Sequence, residues 1–334
     1  MEMTKEALTL DNLTTGYTGK TVSKGISWQI PYGKLVSLLG ANGSGKSTLL
    51  RAISLGNEVR GGKVLIDGED LSKKSISARS RMVSVVLNDQ SYERRLTVEE
   101  LVAIGRIPYT GFMGVLQRAD KVAIHEAIVQ CRLRGYEHRR LSTLSDGERQ
   151  RAFVARAIAQ ETPLILLDEP TAHLDMAHRL SLYQLLRDMA HHSRRVIVVS
   201  SHELQLAFNT SDEIGILTQD GGLIHGLPEQ LALQHSYEQL FPDENFTYDP
   251  IKGIIREDAG VRRAIQLVGE SPCDRMLCTE ALLRRLGYAP TKEPIDEMRL
   301  EVTESGWTLI SEGREYAYAT LTEIADHLGK ATIR

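Results

Sequence analysis

The sequence is short of cysteine: Cys131, Cys273 and Cys278 are the only three in 334 residues. An odd, sparse set argues against a disulfide framework and fits a reducing cytoplasm. Cys273 and Cys278, with four residues between them, could open a metal site, but no second ligand pair of suitable spacing follows. Long apolar runs are missing as well. No stretch approaches the roughly 18 apolar residues that a membrane-spanning helix needs, and the opening MEMTKEALTLDNL has no apolar signal region. Work at a membrane would need a partner to hold the chain there. A surplus of one charge is also absent: the net charge of −4 gives no global argument for nucleic acid or an anionic membrane as main partner. The local basic cluster Arg132, Arg134, Arg139 and Arg140 reads as a solvated helix face. What remains is an ordinary globular balance, 42% hydrophobic and 25% charged, in a chain long enough for one large domain and a smaller appended one.

The first thirty residues alternate as strands do, in Ala7 to Leu13 and again in Gly25 to Ile30. Pro31-Tyr32-Gly33 is a turn, and Lys34 to Leu39 (KLVSLL) is a buried-strand run ending in a glycine-rich loop and a helix from near Lys46. Lys63 to Ile66 reads as another strand, closed by Asp67-Gly68. From about 91 to 160 the apolar spacing is mainly helical. Strand and helix then alternate: Leu164 to Leu167, Ala177 to Ala190, Arg195 to Ser200, Glu203 to Asn209, Ile214 to Leu217. That alternation predicts a parallel sheet covered by helices. FPDENFTYDP, near 242, reads as a linker, so the expected domains are 1–242 and 243–334. The second part shows a strand (AIQLVG), a helix (CDRMLCTEALLRRLGY), a hairpin (MRLEVTESGWTLIS, then REYAYA) and a last helix (LTEIADHLGK). It is a small α/β unit whose sequence leaves three roles open: sensing a small molecule, lengthening a dimer interface, or covering an apolar edge of the main domain.

Gly40-Ala41-Asn42-Gly43-Ser44-Gly45-Lys46-Ser47-Thr48 fits the phosphate-loop pattern without a gap. Its glycines let backbone N–H groups turn inward, and the helix N-terminus that follows adds positive potential. Lys46 would reach the β- and γ-phosphates and the Ser47 hydroxyl would hold Mg²⁺. In Leu164 to Glu169 (LILLDE) a strand ends in two acids. Asp168 would stand beside the Mg²⁺ site and Glu169 would polarise the attacking water. Between these motifs lies Leu144-Ser145-Asp146-Gly147-Glu148, followed by Arg149-Gln150-Arg151. Ser145 can cap a helix, and its hydroxyl with the Gly147 N–H can face a phosphate.

LSDGE resembles the signature of ABC transporter ATPases, most often LSGGQ, with Asp146 in place of a glycine and Glu148 in place of a glutamine. The resemblance covers roughly residues 7 to 235 and extends to single positions. It implies that Tyr17 stacks on adenine, that Asp175 in His173-Leu174-Asp175 crosses a dimer interface, and that His202 meets the γ-phosphate. Where the family has a glutamine tying Mg²⁺ to the permease-facing helices, this chain has Asn88, with Gln90 two residues on. Either amide could serve. LTVEELVAIGRIPYTGF (Leu96 to Phe112) resembles the branch that energises uptake of iron-siderophore complexes, haem or cobalamin. Tyr109, Phe112 and Met113 are there either permease contacts or core.

The expected fold is therefore an α/β phosphate-loop NTPase of ABC type: a parallel sheet core, an antiparallel β subdomain, a helical subdomain near 91–160, and the small C-terminal α/β domain. The resemblance implies ATP and Mg²⁺ as cofactors, and a homodimer with composite ATP sites in which one copy's signature closes on the other's phosphate loop. It further implies integral-membrane permease subunits as partners, a periplasmic substrate-binding protein acting indirectly, and a peripheral place on the cytoplasmic face of the inner membrane. No nucleic acid is expected. An ABC exporter motor, or a soluble ABC ATPase acting on nucleic acid or ribosomes, are the alternatives.

Overall fold

The computed structural model describes residues 6–56, 58–87, 95–111, 114–172, 174–241, 246–251, 253–257, 263–269, 274–295, 297–303 and 305–332. The chain divides into two compact units, Met1–Arg256 and Glu257–Arg334.

In the first unit β1 (Glu6–Tyr17) and β2 (Lys20–Pro31) form an antiparallel hairpin. Both run further toward their shared turn than the alternation suggests, because register shifts between Leu10 and Gly16 break the two-residue period there. Next come β3 (Lys34–Gly40), α1 (Lys46–Leu55), β4 (Val59–Ile66), β5 (Glu69–Asp70) and the single turn α2 (Ile76–Arg79). Strand order β2-β1-β4-β5 makes the antiparallel sheet.

The second sheet has the order β10-β9-β3-β8-β7-β6, formed from β3, β6 (Val83–Val86), β7 (Leu164–Asp168), β8 (Val196–Ser200), β9 (Glu213–Leu217) and β10 (Leu223–Gly226). All its neighbours run parallel except β10 on β9. Its central strands are apolar and buried on both faces, as a parallel sheet between two layers requires. One face packs with the antiparallel sheet and α1, through Leu8, Leu38, Leu49, Ile53 and Val198. The other face carries α3 (Val98–Ile104), α4 (Arg118–Gln130), α5 (Asp146–Ala159) and α6 (Met176–Ser193), through Leu101, Ile128, Phe153, Ile165 and Leu186. Each such fully buried aliphatic or aromatic side chain contributes about 1.5–3 kcal/mol relative to exposure.

Thr97 starts α3 with a reciprocal cap: its hydroxyl accepts from Glu100 N–H at 3.2 Å, and Glu100 accepts from Thr97 N–H at 2.8 Å. Just beyond α3, Arg106 is 4% exposed and donates to Asp120 Oδ1 at 2.9 Å and to the Ala159 carbonyl at 2.6 Å. Tyr109 is half-buried beneath that guanidinium, and its hydroxyl donates to the Gln160 carbonyl at 2.9 Å. It is thus tied to the helical layer, whereas Phe112 and Met113 lie outside the described residues.

α7 (Leu204–Thr210), α8 (Pro228–Leu233), β11 (Phe246–Asp249) and β12 (Ile254–Glu257) follow. The first unit runs past 242 because Tyr248, 8% exposed, packs with Ala207 and Tyr237 and donates to Gln205 Oε1 at 3.0 Å.

The second unit is a five-stranded sheet of order β14-β13-β15-β16-β17. Its elements are β13 (Arg263–Gly269), α9 (Asp274–Arg285), β14 (Tyr288–Thr291), β15 (Met298–Val302), β16 (Trp307–Ser311), β17 (Arg314–Tyr318) and α10 (Leu321–Thr332). The helix expected to reach Tyr288 stops at Arg285. Gly287 takes a φ of 83°, and Tyr288 instead opens β14 parallel to Arg263. Ile265, Leu283, Leu300, Leu309 and Ile324 make its core, and the buried Trp307 indole N–H finds Thr279 Oγ1 at 2.8 Å.

Candidate functional site

Register in the parallel sheet decides what meets what. Leu38 of β3 pairs with Ser200 of β8, and Ser200 pairs with Asp168 of β7. The carboxyl ends of three adjacent strands therefore finish level, and their loops share one edge, where open α/β sheets hold ligands.

From β3 the chain leaves through Gly40. A Cβ there would lie 2.5 Å from Ser44 Oγ and 3.1 Å from the Leu217 carbonyl, so only glycine lets the loop close. Gly45, at φ 103°, is the α1 cap, and any side chain would overlap Val22. Asn42 and Gly43 are exposed at the loop crest, and Ser44 N–H donates to Ala41 O at 3.1 Å. Lys46 folds back under the loop, 6% exposed, and its ammonium donates to the carbonyls of Gly40 at 2.8 Å and Ala41 at 3.2 Å. Burial pulls its pKa below the ordinary lysine value, opposed by the carboxylates of Glu169 and Asp168. Ser44 Oγ is buried with no hydrogen-bond partner among the described residues. A buried ammonium, an unpaired hydroxyl and a helix N-terminus in one loop suit an anion with several oxygens.

Asp168 ends β7, and its Oδ1 accepts from Ser200 Oγ at 2.6 Å. Ser200 Oγ in turn accepts from Glu169 N–H at 2.9 Å. Glu169 takes a φ of 48°, a left-handed backbone that a non-glycine residue adopts only when its surroundings impose it. The Ser200 clamp supplies that constraint. His202 is half-exposed, with Nδ1 3.9 Å from Glu169 Oε1 and Nε2 3.7 Å from Glu203 Oε1. Glu203 is ion-paired with Arg179, whose Nε donates to the Leu174 carbonyl at 2.6 Å. Tyr17, 45% exposed at the end of β1, hydrogen-bonds Thr48 Oγ1 through its hydroxyl at 2.8 Å, which holds its ring beside the start of α1. Ser47 is half-buried in the first turn of that helix.

The signature segment stands elsewhere, at the start of α5. Ser145 caps the helix reciprocally with Glu148: Ser145 N–H donates to Glu148 Oε2 at 2.8 Å, and Glu148 N–H to Ser145 Oγ at 3.3 Å. The backbone N–H of Ser145 holds the Glu148 carboxyl below the usual carboxylate range. Asp146 pairs with Arg149 one turn on. Both acids thus suit a helix N-terminus, where negative charge is favoured. Among the described residues no hydrogen bond or ion pair joins residues 40–48 to residues 144–148. The signature instead meets the start of α6: Gly147 is buried against the ring of His178, whose Nδ1 lies 2.8 and 2.9 Å from the Asp175 carboxylate oxygens.

One edge of the sheet thus gathers Gly40 to Thr48, Tyr17, Asp168, Glu169 and His202. Ser145, Gly147, Glu148 and Asp175 form a second group. Asn88, Gln90 and His173 lie outside the described residues. Sequence reading missed Ser200, His178, Arg179 and Glu203. Ser200 alone left a signal, as the last residue of a strand placed beside the one that ends in Asp168.

Removing the Ser200 hydroxyl (Ser200→Ala) should lower turnover about tenfold, because a hydrogen bond to a charged group and the clamp on Glu169 are lost together. Thermal unfolding should change little, since Asp168 regains water. Turnover equal to wild type in a steady-state ATPase assay would remove the clamp from the site.

This edge has the form of a phosphate loop with two acids and a histidine at its mouth, an arrangement suited to binding and hydrolysing a nucleoside triphosphate. The comparisons carry the assignment further. The family model described as ABC transporter matches residues 23–172. The achromobactin transport ATP-binding protein of Dickeya dadantii is 32% identical over 235 residues, covering 70% of this chain and 87% of its own. The cobalamin import ATP-binding protein of Halobacterium salinarum is 37% identical over 238 residues, covering 70% of this chain and 59% of its own. Among solved structures, a dimeric bacterial ABC transporter cassette superposes with a TM-score of 0.57 at 26% identity, over 66% of this chain and 98% of that one. The chain belongs to the ATP-binding proteins of ABC transporters; it binds and hydrolyses ATP. No helix among the described residues is long and apolar enough to cross a membrane.

Proposed function

We propose that the chain is the ATP-hydrolysing motor of an importer that takes up a metal chelate: an iron-siderophore complex, haem or cobalamin. Its likeness to proteins named for achromobactin transport and cobalamin import carries this reading. As motor it sits peripherally on the cytoplasmic face of the inner membrane, held by permease subunits, and a periplasmic binding protein delivers the cargo.

Two copies form the working unit. The separation of the signature from the phosphate loop within one chain supports a composite site, in which Ser145 and Gly147 of one copy close on the triphosphate held by residues 40–48 of the other. In each site Lys46 and the loop amides bind phosphate oxygens, and Tyr17 offers its ring face to adenine. Ser47 and Asp168 are the donors suited to Mg²⁺, with hydroxyl and carboxylate oxygens. The metal supplies charge neutralisation on the phosphates. Glu169 orients and polarises the attacking water, and His202 meets the γ-phosphate. Asn88 or Gln90 carries the nucleotide state toward the permease.

Tyr17→Ala should weaken ATP binding about tenfold, the value of one lost stacking contact, whereas Tyr17→Phe should stay within about threefold because it keeps the ring. Fluorescent-nucleotide titration checks both; equal loss in the two variants would assign Tyr17 to the Thr48 bond instead of to the base. The import reading is tested by deleting the chain and following uptake of labelled ferric siderophore, haem and cobalamin. Loss of one uptake is expected, restored by the wild-type chain and not by Glu169→Gln. Unchanged uptake of all three would end this reading.

A further inference from the structure

The geometry points to His178 as the positioning residue that holds the signature turn and the interface acid Asp175 in one fixed arrangement. It touches both from a position that neither motif includes. A Cβ built on Gly147 would lie 2.6 Å from His178 Cδ2 and 3.1 Å from Cγ, so the imidazole occupies the space beside the signature glycine. On its other side Nδ1 lies 2.8 and 2.9 Å from the two Asp175 oxygens. A carboxylate only accepts, so Nδ1 carries the proton and the ring orientation is set by Asp175. Asp175 is itself fixed as the α6 cap, accepting from the backbone N–H of residue 178 at 2.9 Å. The order of dependence is therefore helix cap, carboxylate, imidazole, signature glycine.

Two features make this more than packing. The ring is 43% exposed, so it is not there to fill a core. The cap bond uses the backbone of residue 178, which any substitution except proline retains, so α6 does not need the imidazole to begin. What the side chain adds is a link between two segments that both face the partner's nucleotide in the composite-site reading, on which this inference rests. A signature free to shift by about an ångström would misplace its donors, and such misplacement costs about 10²-fold in favourable cases.

The test uses the full chain in its ATPase assay, with nucleotide affinity measured separately. His178→Ala should lower kcat at least about tenfold while the Kd for ATP stays within about twofold, because the mutant's own phosphate loop is untouched. Two conservative variants separate the contacts: His178→Asn restores an N–H toward Asp175, and His178→Phe restores a ring against Gly147. At least one should recover about threefold or more over His178→Ala. Wild-type kcat in His178→Ala overturns the proposal. So does failure of both Asn and Phe to improve on Ala, or a rise in Kd that matches the fall in kcat. Ser145→Arg is run in parallel to separate the two readings. If it leaves hydrolysis intact, the composite site fails and takes this inference with it. If it abolishes hydrolysis while His178→Ala keeps the wild-type kcat, only the role of His178 falls.

Discussion

Glu169→Gln should leave ATP affinity within about twofold and cut turnover by about 10²- to 10⁴-fold, the range that a positioned general base supplies. The argument is geometric. β7 delivers Glu169 to the sheet edge directly after Asp168, with a left-handed backbone and its carboxylate 3.9 Å from His202 Nδ1. Ser200 holds the backbone N–H of Glu169 and the carboxylate of Asp168 through one hydroxyl, so both acids keep a fixed relation. Glutamine has the same length and fits the same clamp. It offers an amide where a proton must be accepted, so chemistry fails while binding survives. The same variant should accumulate a closed pair in ATP, visible as a dimer by size-exclusion chromatography. Turnover near the wild-type rate would remove Glu169 from its role.

Lys46→Met should have the second-largest effect, on binding: a loss of about 10²-fold or more in ATP affinity, since a charge-assisted contact to phosphate disappears from a desolvated site. Stability should move the other way. The ammonium is buried on two carbonyls, and among the described residues no carboxylate lies within salt-bridge distance of it, so a methionine of similar length should leave unfolding temperature unchanged or raised. The pH dependence has a definite sign. Because burial lowers the Lys46 pKa in the folded chain, the unfolded chain holds the extra proton between that value and the ordinary lysine value. Across this window Lys46 makes stability rise with pH, and Lys46→Met should remove that contribution. A variant that binds ATP normally, or unfolds well below wild type, would contradict this account of the loop.

Most of the site was legible because its parts are contiguous in the chain. Residues 40–48 define their loop through local backbone demands, and Asp168-Glu169 stand at the end of an apolar run that could only be a central strand. Ser145 and Glu148 likewise announce a capped helix start within four residues. What the sequence hid depends on pairs far apart. Ser200 acquires its meaning only from its register against Asp168, and His178 only from the approach of α6 to the start of α5. The fold shows the same limit. Fully buried strands were read correctly from their apolar runs, whereas the far half of the β1–β2 hairpin was lost where bulges break alternation. The helix reading runs on to Tyr288 and leaves β14 unassigned, because nothing in LLRRLGY except Gly287 marks where α9 ends and the strand begins.

The most direct test mixes two inactive proteins. Ser145→Arg keeps a sound phosphate loop with a blocked signature, and Lys46→Ala keeps a sound signature with a crippled loop. If each ATP is held between the loop of one copy and the signature of the other, a mixed pair contains one complete site, and random pairing should restore up to about a quarter of wild-type hydrolysis. A mixture as inactive as its two components, under conditions where mixed pairs are shown to form, would contradict a site shared between two copies.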